Sequence, residues 1–176
     1  TQLKDGAIDE TGYAPDGSDL ASSASIYLGG YVAAIEVAVN NAKHLGAMAG
    51  DELRLACTMN IGSSASATAE NAGNAQLDVD VTALTLKDGV ITSCVIDAVQ
   101  AKVNFDATGA VTSDLTAPVL TKNELGENYG MVAWGGAIAE WDEQAAALAS
   151  YAVGKTVEEL KSGAIDETGK APAGSD

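Results

Sequence analysis

The segment Asp19-Leu20-Ala21-Ser22-Ser23-Ala24-Ser25-Ile26-Tyr27 sets one carboxylate and three hydroxyls among small side chains, just ahead of an apolar run with helical spacing. Such residues suit a phosphate-bearing ligand. A helix N-terminus offers unpaired backbone N–H groups to an anion, small side chains leave room for a planar ring, and a serine hydroxyl is an acceptor for a phosphoester. The same serines also read as an ordinary Ser-rich helix N-cap. Elsewhere the sequence holds little that could do chemistry. Its one histidine, His44, falls near a predicted helix C-terminus, where a surface imidazole is favoured by the dipole, so a catalytic triad or a His-metal centre is not expected. Asp5, Asp9, Glu10, Asp16 and Asp19 lack the alternating oxygen-ligand spacing of a calcium loop and read as a solvated acidic turn. Cys57 and Cys94 permit one disulfide or two small buried thiols, and their spacing is unlike that of a zinc site. Asp97 reads as a strand-end carboxylate.

The elements that must position these residues follow from apolar spacing. Val32, Ile35, Val39, Ala42 and Leu45 recur at helical intervals, with Glu36, Asn40 and Lys43 opposite, which predicts a helix of about four turns closed by Gly46 within 22–45. Residues 47–73 read as a linker or as an irregular edge strand around LRLACTMNI. Leu77, Val79 and Val81 alternate with Gln76, Asp78 and Asp80, and Lys87-Asp88-Gly89 turns into VITSCVIDAV. AKVNF then reads as a third strand, turning at DATG into AVTSDL, which makes an antiparallel meander with one wet face. Thr121 with Glu124, and Thr156 with Glu159, form capping-box patterns for two short helices, and a longer helix is predicted from Ile138 to about Tyr151, ending at Gly154. The fold class is therefore α+β, an antiparallel sheet with helices packed on one face. With aromatic content of 5%, small residues must fill the interior, and Trp134, Trp141 and Phe105 read as its anchors.

Residues 3–19 read LKDGAIDETGYAPDGSD and residues 160–176 read LKSGAIDETGKAPAGSD, an offset of 157 positions. Only Asp5/Ser162, Tyr13/Lys170 and Asp16/Ala173 differ. The chain thus holds slightly more than one period of a domain-sized unit, built for a beaded array of neighbouring copies. The expected division is 1–54, the closing motif and helix of one unit, and 55–176, the body of the next.

Nine Lys plus Arg against 25 Asp plus Glu give a formal charge of -16, which repels nucleic acid and anionic membrane surfaces. No apolar run is long enough to span a bilayer, and no basic-then-apolar leader opens the chain, so it reads as a mature or excised segment. Acidity, few Lys, abundant Ser, Thr, Gly and Ala, and near-identical repeats together read as an extracytoplasmic, bacterial surface protein.

The serine-rich segment resembles the flavinylation motif of the FMN-binding domain, a small extracytoplasmic domain of membrane sodium-pumping oxidoreductases and surface electron-transfer proteins. In that family an Asp stands three residues before a Ser-Gly-Ala-Thr-like tetrapeptide whose last residue is esterified to FMN. Asp19 matches that Asp, Ser22, Ser23 and Ala24 match the next three positions, and Ser25 falls on the acceptor. KDGVITSCVID resembles the family's DGKI-type strand turn, and WDEQAAALASYAVGKTVEEL its aromatic-led helix and GK turn, so the likeness extends over about 100 residues in repeat order. Ser25 stands where the family has Thr, Ser23 where it has Gly, and the family's Glu-Thr pair is absent. The resemblance implies FMN borne covalently at Ser25, Tyr27, Tyr31 or a Trp stacked on the ring, and redox partners for an electron carrier that is not itself an enzyme. The alternative reading is a structural surface stalk or filament of head-to-tail units with no cofactor.

Overall fold

The computed structural model describes residues 8–163, 165–167 and 170–171. The chain divides into two compact units, Thr1–His44 and Leu45–Asp176. The division lies upstream of the residue-54 boundary read from the sequence, because a strand beginning at Glu52 is already paired into the second unit's sheet.

The first unit opens on an Asx turn. Asp9 accepts through its carboxylate from Thr11 N (2.8 Å), Thr11 Oγ1 (2.7 Å) and Tyr13 N (3.2 Å), while Asp9 N donates to Tyr13 O (2.8 Å). Two of these bonds recur at the second occurrence of the repeated sequence. There Lys170 N donates to the Asp166 carboxylate (3.2 Å) and Asp166 N to Lys170 O (2.7 Å). Replacing Tyr13 by Lys170 leaves the pattern intact, so the turn is specified by the aspartate and the backbone and not by the aromatic side chain. A 3-10 turn, Leu20–Ser22, and one helix, α1 (Gly29–Asn40), follow. The helix is shorter than the sequence predicted. Asn41 caps its C-terminus, and residues 42–45 lie beyond it. None of its residues is buried, although its apolar spacing predicted a core-facing stripe.

The second unit is α+β: a three-stranded antiparallel sheet in the order β1-β2-β3, with β1 Glu52–Asn60, β2 Gly73–Lys87 and β3 Val90–Phe105. Of the two readings for 47–73, the edge strand is the one observed at 52–60. AKVNF is not a third strand. It is the end of a continuous β3, because the residues opposite it, 73–77, extend β2 to meet it; AVTSDL adds only a bridge from Val111 to Phe105. The β2–β3 hairpin turns at Asp88 and Gly89, both at positive φ (51° and 82°), the type I′ geometry whose twist matches that of the strands. At the other end, Gly73 is buried and has room for no side chain: a Cβ there would sit 2.5 Å from Ala67 N and 2.6 Å from Ala65 O, besides striking the Phe105 ring.

The helices are α2 (Lys122–Leu125), α3 (Met131–Gly135), α4 (Trp141–Ala152) and α5 (Val157–Gly163). Both predicted capping boxes form. Thr121 and Glu124 exchange bonds of 3.1 and 2.9 Å, and Thr156 and Glu159 bonds of 3.3 and 2.7 Å. α4 begins at Trp141, later than the predicted Ile138, because Glu140 takes the N-cap. Its Ala145, Ala149 and Ala152, at i, i+4 and i+7, are buried where it packs on β3, and with Ile91 and Ala98 they form the buried apolar core. Alanines at these positions let the helix approach the strand closely.

Alternation assigns the two faces of the sheet. One carries Gln76, Asp78 and Gln100, and Cys94 and Ile96 at its other end. Buried Ala98 belongs to this face, and α4 packs along β3, where Ala146 and Ala149 border a cleft with Cys94, Val95 and Ile96; α2 meets the edge of β3, with Thr121 bridged to Val99 and Asn123 N donating to Asp97. The opposite face sets Leu53, Leu55, Cys57 and Met59 of β1 beside Thr85, Ala83, Val81 and Val79 of β2, and these beside Ser93, Val95, Asp97 and Val99 of β3. Leu53, Leu55 and Met59 are 66–73% exposed and Val95 is 41% exposed. The face expected to be wet is thus largely apolar.

Three further expectations are corrected. Trp134 is not an anchor but 90% exposed, while Trp141 and Phe105 are half-buried. Cys57 is exposed and Cys94 half-buried, and both are free. Cys57 pairs with Val81 and Cys94 with Leu84, positions of opposite parity on β2, so the thiols lie on opposite faces and cannot bond. Asp97 is not at a strand end. It sits within β3, where its carboxylate accepts from Ala98 N (2.7 Å) and Asn123 N (3.2 Å) and so ties α2 to the sheet.

Candidate functional site

The serine segment is organised by the 3-10 turn and not by α1. Ser22 Oγ donates to Asp19 O (2.6 Å) and Ser23 Oγ to Leu20 O (3.3 Å), which ties both hydroxyls to the turn's own carbonyls. The N-cap of α1 is Leu28, with no side-chain capping bond, so the Ser-rich N-cap reading does not hold. Leu28 N and Gly29 N both donate to Gly12 O (2.8 and 3.1 Å). That carbonyl occupies N–H groups at the entrance of α1 which the sequence had offered to a phosphate.

Ser25 differs from its neighbours: it is exposed, and among the described residues its hydroxyl has no hydrogen-bond partner. It lines an open cleft of about 480 Å³ with Asp9, Thr11, Tyr13, Pro15, Asp16 and Ala24, among others. Tyr13 meets Tyr27 edge to face, centroids 5.7 Å apart and planes at 77°, and the Tyr27 ring fills the space beside Gly12 and Gly29. Tyr31 lies on exposed α1. The structure therefore brings Ser25, Ala24 and Tyr13 to one cleft, commits Ser22 and Ser23 to the backbone, and leaves Asp19 exposed with its carbonyl as an acceptor.

The electrostatics of the cleft are acidic. Asp9 and Asp16 line it, and among the described residues no basic side chain does. The Thr11 hydroxyl, followed by the Tyr13 N–H, holds the Asp9 carboxyl below its ordinary value, so it stays charged. Among the described residues a free flavin phosphate would meet carboxylates and no cation, whereas an ester bond to Ser25 does not depend on charge pairing. The cleft volume lies in the range of small-molecule sites. Tyr13 gives a ring face or edge, and Ser25 gives the oxygen. On volume and donor set the residues fit a covalently attached flavin better than a freely exchanging one.

Two polar clusters of the second unit escaped the sequence reading. Buried Glu140 accepts from Met131 N (2.8 Å) and Val132 N (3.0 Å) and also forms the capping box of α4 with Glu143, so one carboxylate serves the N-termini of α3 and α4. Glu140 and Glu143 stand three apart, as in a capping box, but with Glu in the Ser/Thr place the pattern is easily passed over. Asp51 Oδ2 accepts from Thr92 Oγ1 (2.6 Å), which is linked through Thr85 (2.7 Å) to Ser93 (2.6 Å). These pairings arise from strand register and have no local signature. Glu127, Glu140, Asp142 and Glu143 border another open cleft, yet no group of His, Cys, Asp or Glu among the described residues has a metal-binding arrangement. No helix among the described residues is long and apolar enough to cross a membrane.

No family model, curated protein or solved structure matches this chain.

Proposed function

We propose that this chain is a unit of an extracytoplasmic tandem-repeat protein that carries electrons on FMN esterified to Ser25. The observation that supports the reading is the inequality of the three serines: the hydroxyls of Ser22 and Ser23 are bound to carbonyls, while Ser25 is exposed at a cleft and has no partner among the described residues. The Ser25 oxygen takes the phosphorus of an activated flavin nucleotide, the leaving group departs from phosphorus, and the serine proton is lost to solvent, so that the net gain is FMN less one water. Flavin so held supplies one- and two-electron transfer. The chain supplies position: the Asp19 and Leu20 carbonyls fix the turn, Tyr13 offers an aromatic wall, and Asp9 and Asp16 place negative charge near the cofactor, which disfavours the reduced anion and lowers the potential.

Intact mass of the natively sourced protein tests this. The expected result is an excess of about 438 Da per unit on the peptide holding Ser25, with absorbance near 450 nm. Ser25→Ala removes both and shifts stability by less than about 0.5 kcal/mol, as for an exposed site. A bare polypeptide mass sinks the reading.

A second reading, a cofactor-free structural array, is supported by the recurrence of one Asx turn at Asp9 and Asp166 within the near-identical repeat. Colourless assemblies of bare mass, unaffected by Ser25→Ala, are its expected signature.

A further inference from the structure

Each of the two units carries an exposed apolar surface. On α1, Tyr31, Ile35, Val37 and Val39 are 48–63% exposed, and Glu36 is the helix's one charged residue. On the sheet, the face shared by Leu53, Leu55 and Met59 exposes those three side chains, with Lys87 and Asp97 its charged positions among the paired residues. In a chain of net charge -16 these are the places where charge is nearly absent. Contiguous exposed apolar surface of this kind marks an interaction site. The two are also complementary in form, since an antiparallel sheet with one apolar face is completed by an apolar helix laid across it.

The repeat identifies the helix. At its first occurrence the LK-GAIDETG-AP-GSD sequence leads through the 3-10 turn into α1; at its second it follows β3 and α4 and begins within α5. In repeat order, therefore, a sheet of this kind is followed by a helix of the α1 kind. We infer that the open sheet face of this chain is the docking site for α1 of a second copy. The contact is heterologous: α1 and the sheet face are different surfaces, so two copies close reciprocally or many copies propagate as a line. Because the buried groups are apolar while the copies repel through their net charge, salt strengthens association by screening. The inference is independent of flavin, since Ser25 lies outside α1 and outside the sheet.

Light scattering on the purified chain across concentration and ionic strength provides the test, together with alkylation of Cys57, which lies exposed on the sheet face. Expected are dimers or longer oligomers that grow with concentration and salt, and a Cys57 labelling rate that falls as they form. Val39→Asp and Leu55→Asp, both at exposed positions, should each weaken association about 10- to 100-fold by burying a charge at the contact with unchanged far-UV circular dichroism. Mixing the two variants should restore a mixed dimer, because the helix of Leu55→Asp and the sheet face of Val39→Asp remain intact. If either variant loses its helical signal, Val39→Ser and Leu55→Ser replace the pair. A chain that stays monomeric at every concentration and salt overturns the inference, and so does Cys57 protection that is already complete in the monomer, which means that the chain covers its own sheet. Association that survives both substitutions, or variants that fail to rescue each other, also overturns it.

Discussion

Two helices of 12 residues, α1 in the first unit and α4 in the second, were assigned opposite environments by the fold. α1, GGYVAAIEVAVN, is the more apolar and buries nothing, whereas α4, WDEQAAALASYA, begins with four polar or aromatic residues and buries Ala145, Ala149 and Ala152. The difference lies in what each finds to pack on. α4 sets small side chains on one stripe and meets β3. It is also fixed at both ends: Glu140 caps its start, and beyond its C-terminus Gly154 N donates to Ile91 O (2.8 Å) while Ile91 N donates to Lys155 O (2.9 Å). α1 has no capping side chain and buries none of its residues, so its stability rests largely on backbone bonds, which are marginal for an isolated helix of this length. Hydrophobic content therefore does not predict burial here; a complementary face does.

The largest expected difference between the two regions is in core truncation. Ile91→Ala, at a position 2% exposed, should lower the stability of the second unit by about 2–5 kcal/mol in denaturant unfolding. Val39→Ala in α1 should change it by less than about 0.5 kcal/mol for the isolated chain at low concentration. Equal effects would mean that α1 is packed in solution, which breaks the contrast.

Next comes the capping carboxylate that α4 has and α1 lacks. Glu140→Ala leaves the Met131 and Val132 N–H groups without their acceptor and removes the α4 box, an expected loss of roughly 2 kcal/mol by thermal unfolding. Amide exchange should quicken at 131, 132 and 143 and remain unchanged in α1, which sharpens the comparison region by region.

The smallest effect is one of pH. Asp51 is held below its ordinary value of 3.8 by the Thr92 hydroxyl and then the Met48 N–H, and Asp78 by the Gln76 and then the Gln100 amides. A carboxyl with a depressed folded pKa binds its proton more readily in the unfolded chain. Its contribution is therefore complete above 3.8 and is lost as pH falls through that value toward the folded one. Relief of the chain's negative charge acts in the opposite direction, so the readable quantity is a difference. The stability gap between wild type and Asp51→Asn should be constant from about pH 7 to 5 and shrink below about pH 4. A gap that widens on acidification would show the assigned hydrogen bonds to be wrong.

Much of the second unit was legible in the chain because its signals are local. The Asp88-Gly89 turn needs two positive φ values, and the Thr121/Glu124 and Thr156/Glu159 boxes satisfy their own helix ends within a few residues. Alternation from Gln76 to Val81 likewise placed β2. What failed depended on distant partners. Whether AKVNF is a separate strand was settled by the β2 residues opposite it, and whether Cys57 meets Cys94 was settled by register parity. At the site, residue types alone singled out Asp19 to Tyr27, but three serines that look alike in sequence were separated only by geometry, through the carbonyls of Asp19 and Leu20.

By itself, then, the sequence determined the acidic charge, the 157-position repeat, the turn at Asp9 and its recurrence at Asp166, the hairpin and the helix caps, since each is fixed by residues within a few positions or by composition. Only the tertiary structure decided which apolar surfaces are buried. That outcome depends on whether a second face comes into contact with the first, as it does within the second unit for α4 and β3.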